Sequence, residues 1–202
     1  MVPASSLALL RGSGGRFTNA CIAVAEKFEF QEIALPSLDL AAVYADKAGP
    51  EILGQMYTFP DKKGRELCLR PEGTATCQLL AREGLRQEKD VKLFYVATCW
   101  RYERPQAGRY REFTQFGVEV LNPTVDYRDL LIEMASAMVS SSTSQFEVSK
   151  LVKRGLAYYL GEGFEISCPA LGAQKQVCGG GTYAEGIGFA IGVDRLMLVN
   201  ET

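Results

Sequence analysis

The spacing of apolar and polar residues changes period several times along the chain, and each change marks a predicted element. Apolar residues recur at helical spacing between Phe17 and Phe28 (Cys21, Ile22, Val24, Ala25, Phe28), which predicts an amphipathic helix. From Glu29 to Leu35 the period shifts toward that of a strand and ends at Pro36. Met56 onward alternates as a hairpin turning at Asp61 to Gly64, breaks at Pro71, and delivers Glu72 and Thr74 to a helix beginning near Ala75. Val91 to Tyr102 is β-branched and aromatic. Alternation resumes from Phe113 to Leu121, after Pro105 and Gly108 have punctuated a turn. Val125 to Ser140 returns to helical spacing and runs into a low-complexity Ser-Ser-Ser-Thr-Ser-Gln stretch at 140–145. By itself this periodicity predicts mixed strands and helices.

Length and composition narrow the picture. With 202 residues, 47% hydrophobic and 23% charged, the chain has the make-up of a soluble globular protein with one substantial core, read as a single domain over 1–202. A net charge of −2 gives no general attraction to nucleic acid, so any RNA contact is expected to be local. Six scattered cysteines without a Cys-x-x-Cys pair, and no histidine, point away from zinc and toward buried thiols in a reducing cytoplasm; no metal-ligating residue is assigned. Ser5 to Leu10 is too short and poorly flanked for a signal peptide, and no apolar run approaches a membrane span. The absence of histidine also excludes Ser-His-Asp and Cys-His nucleophiles and a histidine general base.

The most informative stretch is the turn at 101–111, which carries Arg101, Arg104, Arg109 and Arg111. Four guanidiniums this close repel one another unless they face water or a polyanion, and a nucleoside triphosphate is a natural partner. A solvated hairpin tip is the competing reading. Glu72 and Thr74 are similarly open: they cap a helix, or they present a carboxylate to an ammonium group. The glycines of 179–192 mark tight packing, or a strand on which a flat base lies.

Longer strings bear on these alternatives. Arg101-Tyr-Glu-Arg-Pro-Gln-Ala-Gly-Arg-Tyr-Arg-Glu-Phe113 resembles motif 2 of class II aminoacyl-tRNA synthetases in its histidyl-tRNA synthetase form. Leu69-Arg-Pro-Glu-Gly-Thr74 is similar to that family's segment for the substrate amino group, and Leu151-Val-Lys-Arg-Gly-Leu-Ala-Tyr-Tyr159 to its second histidine-specific motif. Phe17 to Pro36 resembles motif 1, the dimer-forming element, and Gly179 to Leu198 resembles the glycine-rich strand and motif 3. The likeness runs from Arg11 to Val199.

The resemblance implies an α+β fold, an antiparallel β-sheet flanked by helices, in a homodimer without membrane contact. It implies ATP with Mg2+ and an amino acid, histidine, as substrates, with tRNA or another acyl acceptor as partner. Arg101 and Arg154 are the implied catalytic residues. Arg101, Glu103, Arg109, Phe113 and Arg195 are implied for ATP, and Glu72, Gly73, Thr74, Gln115, Glu119, Arg154, Tyr158 and Tyr159 for the amino acid. The 140–145 stretch is expected to replace the family's insertion domain, and no anticodon-binding domain is expected. Four positions depart from the family pattern: Thr114 for a bulkier residue, Ala157 for Asp, Thr182 for Arg, and Asp194 for Glu. A non-catalytic relative, like the histidine-binding regulatory subunit of ATP phosphoribosyltransferase, is the alternative reading.

Overall fold

In the computed structural model, residues 4–48, 50–104, 106, 108–153 and 157–200 are described. The chain opens with helix α1 (Ala4–Lys27), followed by β1 (Gln31–Glu32), β2 (Leu38–Leu40), α2 (Ala41–Ala48) and α3 (Pro50–Leu53). The hairpin β3 (Thr58–Pro60) and β4 (Glu66–Leu69) leads into α4 (Thr74–Glu83). The long strands β5 (Val91–Trp100) and β6 (Glu112–Leu121) come next, then α5 (Arg128–Ser140). The remainder forms β7 (Glu147–Lys153), β8 (Glu162–Ser167), β9 (Gln176–Tyr183), β10 (Gly186–Gly192) and the short α6 (Val193–Met197).

Two boundaries differ from the periodicity. Helix α1 starts well before Phe17, because the Ala and Leu residues upstream favour a helix that the glycines at 12, 14 and 15 obscure in the pattern. The strand expected over 29–35 pairs for only two residues. Glu29 turns into the left-handed region at φ 65° as the chain leaves α1, and pairing begins only at Gln31. Helix α5 starts at Arg128, whose amide donates to Asp126 Oδ1 at 2.8 Å.

Seven strands form the main sheet in the order β1-β5-β6-β10-β9-β8-β7. Only β1 runs parallel to its neighbour; every other pairing is antiparallel. Side chains alternate across such a sheet, so each strand contributes to two faces. The back face carries Phe94, Phe116, Val118, Phe164, Phe189 and Ile191. They form one core with Phe17, Cys21 and Ala25 of α1 and Leu131, Met134 and Met138 of α5. Each such side chain stabilises the fold by about 1.5–3 kcal/mol through loss of water contact.

The front face is different. In register across β6, β10 and β9, Gly117 stands opposite Ala190, which stands opposite Gly179, and Glu119 opposite Gly188, which stands opposite Gly181. These small residues hollow out the face, while α4 and the small sheet β2-β4-β3 close one side of it. All six cysteines are buried and unpaired. Among the described residues no helix is long and apolar enough to cross a membrane.

Candidate active site

The hollow is a cleft of about 330 Å³. Its walls come from the start of α4, the 101–111 turn, the residues after β7 and the start of α6. It brings together residues more than a hundred positions apart. Glu72, Thr74, Gln115, Tyr158 and Tyr159 line one end, and Arg101, Glu103, Arg109 and Arg195 the other, with Phe113 also on the wall.

The first end is built by burial and hydrogen bonds. The break at Pro71 lets Glu72 fold back over the first turn of α4, where its Oε2 accepts from Thr74 N at 2.7 Å and its Oε1 from Ala75 N at 2.8 Å. Glu72 thus caps the helix and also faces the cleft, so the two readings of this residue coexist. Tyr158 donates its hydroxyl to Glu72 Oε2 at 3.4 Å. Thr74 donates to Glu119 Oε1 and Tyr183 to Glu119 Oε2, each at 2.7 Å. Both carboxylates are enclosed: Glu72 is 2% exposed and Glu119 fully buried. Loss of water pushes both acids up. Amide donors and Arg101 oppose the shift at Glu72, while Glu119 rises to about 8 despite its two hydroxyl donors.

The floor beneath this end depends on two glycines. The Tyr95 ring lies against Gly73 and Gly117; a Cβ added at either would come within 2.3 Å and 2.0 Å of its Cζ. Tyr95 is completely buried, and its hydroxyl has no hydrogen-bond partner among the described residues.

The arginine end is held by backbone carbonyls. Arg101 Nε donates to Pro71 O at 2.8 Å, and its guanidinium lies 5.3 Å from the centre of the Phe113 ring. Arg195 donates from Nε to Gly108 O and from Nη1 to Gln176 O, both at 2.8 Å. Burial, then the nearby charge of Arg109, lowers its pKa. Gly108 itself has φ 74°, a conformation a glycine adopts without strain, and this lets the turn bring its carbonyl to Arg195. Arg109 and Glu103 form an ion pair at 2.7 Å. Asp194 accepts from the amide of Thr114, joining α6 to β6, and burial raises its pKa.

Most residues singled out in the sequence therefore meet on one cleft, with three exceptions. Glu119 was expected against the ligand ring, but both its oxygens are taken by Thr74 and Tyr183 behind the cleft wall. Gly73 was expected to touch the amino acid; its role here is to make room for Tyr95. Arg154 lies outside the described residues. The sequence reading missed Tyr183 and Tyr95, whose aromatic character in strands signalled only a core. It also missed Lys153 and Glu165, which line the cleft from β7 and β8. Among the described residues no three acidic or cysteine side chains come together as a metal site, so no resident ion enters the chemistry below.

With this geometry in place, comparison with known proteins is informative. A family profile described as Histidyl-tRNA synthetase matches residues 15–151, more than half of the chain. A histidine–tRNA ligase of Archaeoglobus fulgidus is 28% identical over an alignment covering 86% of this chain and 68% of that protein. The alignment is 280 positions long against a chain of 202 residues, so that relative carries residues this chain lacks. The crystal structure of apo S. aureus histidyl-tRNA synthetase superposes with a TM-score of 0.72 at 25% identity, over 92% of this chain and 64% of that one. An ATP phosphoribosyltransferase regulatory subunit/histidyl-tRNA synthetase from Bacillus halodurans shares the fold at 16% identity, with a TM-score of 0.76 over 92% and 78% of the two chains. The antiparallel sheet, the arginine turn, the capped carboxylate at 72 and the matched profile converge: this chain belongs to the histidyl-tRNA synthetase family and has the class II aminoacyl-tRNA synthetase fold.

Proposed function

We propose that the cleft activates an amino acid, histidine, with ATP, forming an aminoacyl-adenylate and pyrophosphate for transfer to tRNA or another acceptor. The observation that carries this reading is the polarity of one continuous cleft: hydrogen-bond acceptors and carboxylates at one end, guanidiniums at the other. A zwitterionic amino acid placed between them puts its ammonium near Glu72 and Thr74 and its carboxylate toward Arg101.

The reaction is an in-line attack of that carboxylate on the α-phosphorus, and the nucleophile needs no base because it is already ionised. What the protein supplies is alignment of two anions and stabilisation of charge on the phosphorus. Arg101 is suited to this, because Pro71 O fixes its Nε and Phe113 supports its plane, leaving its terminal nitrogens for ligand. Arg109 and Arg195 are placed for the outer phosphates, and Arg154 is proposed to act on the α-phosphate beside Arg101. Mg2+ would arrive with the nucleotide and neutralise phosphate charge. Tyr158 and Tyr159 are proposed to meet the imidazole, and Glu119 to act on the ligand through Thr74 and Tyr183.

We assign the homodimer of this reading to the outer face of the small sheet. By register Leu40, Leu67 and Phe59 form one row and Leu38 and Leu69 the next. Leu38, Leu40 and Phe59 are 44%, 41% and 41% exposed, on a face that continues from the motif 1 segment ending at Pro36. A Leu40→Asp variant that stays dimeric by light scattering would refute this assignment.

ATP–pyrophosphate exchange with each amino acid in turn tests the function. Histidine-dependent exchange is expected, falling by about 10²–10³-fold in Arg101→Ala. Folded protein that binds histidine without exchange would favour the regulatory alternative.

A further inference from the structure

Hydrogen bonds inside the protein sort the amino-acid end into acceptors and donors, and one of them comes from a residue with no role in the chemistry above. Ala97 of β5 pairs with Gln115 of β6, so Cys99, two residues along the same face, sits diagonally across from Gln115. Cys99 is fully buried, and its Sγ lies 3.4 Å from Gln115 Oε1. A thiol is a weak donor and a still poorer partner for an N–H group, so the amide oxygen is the end of Gln115 that gains by facing it. Burial pushes the Cys99 thiol up to about 12, which keeps the donated proton in place at neutral pH. The carbonyl of Ala97 competes for that proton from the longer distance of 3.8 Å.

We propose that Cys99 is a positioning residue that turns the Gln115 amide so that its Nε2 donors face the cleft, and that Gln115 consequently binds the substrate carboxylate instead of its ammonium group. The inference rests on the activation reading of the same cleft and departs from the ammonium contact that the family resemblance implies for Gln115. The rest of the cleft supports it. Thr74 spends its hydroxyl proton on Glu119, so its oxygen is left as an acceptor beside the Glu72 carboxylate. The ammonium therefore has acceptors without Gln115. On the other side, Arg101 lies over Phe113, two residues before Gln115 along β6. An amide donor at Gln115 extends the donor side of the cleft to where the attacking carboxylate must rest. No other hydrogen bond of the Gln115 side chain is found among the described residues, so Nε2 is available to a ligand.

Calorimetry with histidine and with histamine, which keeps the ammonium and imidazole but lacks the carboxylate, separates the two assignments. Cys99→Ala is expected to weaken histidine by about three- to tenfold and leave histamine unchanged, the size expected for one neutral hydrogen bond. Cys99→Ser, whose hydroxyl donates to the same oxygen, restores histidine binding. Gln115→Glu needs no change at Cys99: it repels a carboxylate and attracts an ammonium, so histidine weakens by tenfold or more while histamine holds or tightens. Equal losses for both ligands, or histidine binding tightened in Gln115→Glu, would overturn the inference and leave the activation reading standing. Wild-type protein that binds neither ligand and shows no exchange removes that reading, and this inference with it.

Discussion

The two ends of the cleft are built on opposite principles. At the amino-acid end two carboxylates are almost completely enclosed, and each oxygen of each one is engaged by a backbone amide or a hydroxyl of the protein. At the arginine end the cations are tied to carbonyls at 2.8 Å, and the side chain of Arg109 stays 40% exposed beside Glu103. The first end is part of the core, so its geometry is fixed before ligand arrives and its charges are costly to maintain. The second is a rim, where water screens each charge and a phosphate chain replaces that water. Binding selectivity belongs naturally to the rigid end. The open end suits a substrate that must enter and a pyrophosphate that must leave.

The most damaging way to break this contrast is from below the rigid end. Gly117→Ala places a methyl 2.0 Å from Cζ of Tyr95, a ring already pinned by Gly73. It should destabilise the fold by about 3 kcal/mol or more in chemical denaturation, since the ring has no free direction to yield.

A second test uses proton linkage. The folded protein holds the Glu119 proton up to about pH 8, whereas an ordinary glutamate releases it near 4.5. Between those values the folded state binds more protons than the unfolded one, so stability is greatest below the lower value and falls as pH rises through the window. Glu119→Gln is expected to flatten that descent in urea titrations at pH 5 and pH 8. A slope equal to that of the wild type would show that Glu119 is ionised in the folded protein.

Gln78 sharpens the comparison within α4, the helix that carries Thr74. It is completely buried, and neither atom of its amide finds a partner among the described residues. Gln78→Leu is expected to stabilise the protein by about 1–3 kcal/mol, the cost of burying a polar group without partners. The rim should respond least. Glu103→Gln removes the ion pair with Arg109, and stability should change by less than about 1 kcal/mol, with any loss disappearing at high salt.

Much of the fold was legible locally. The strands at Val91 and Phe113, the helix after Pro71 and the hairpin at Asp61 to Gly64 follow from period and turn residues that act within a few positions. The arginine turn was legible for the same reason, since four like charges in eleven residues demand a common explanation. Tyr95, Tyr183 and Cys99 were not. An aromatic or sulfur-bearing residue in a strand reads as core, and nothing in its neighbours along the chain announces a carboxylate or an amide across the sheet. Glu119 sat in a recognised motif, yet its burial depends on Tyr183 and Thr74, 64 and 45 positions away.

The sequence by itself determined which residues alternate, where the chain turns, and which motif strings recur in register, because those are set by contacts between near neighbours along the backbone. Tertiary structure alone decided that Glu72 both caps α4 and faces the cleft, that Glu119 lies one layer behind it, and that the Cys99 thiol meets the Gln115 oxygen. Each of these is a matter of which atoms lose water and which donor stands opposite which acceptor. That is settled only when strands distant in the chain are brought into register.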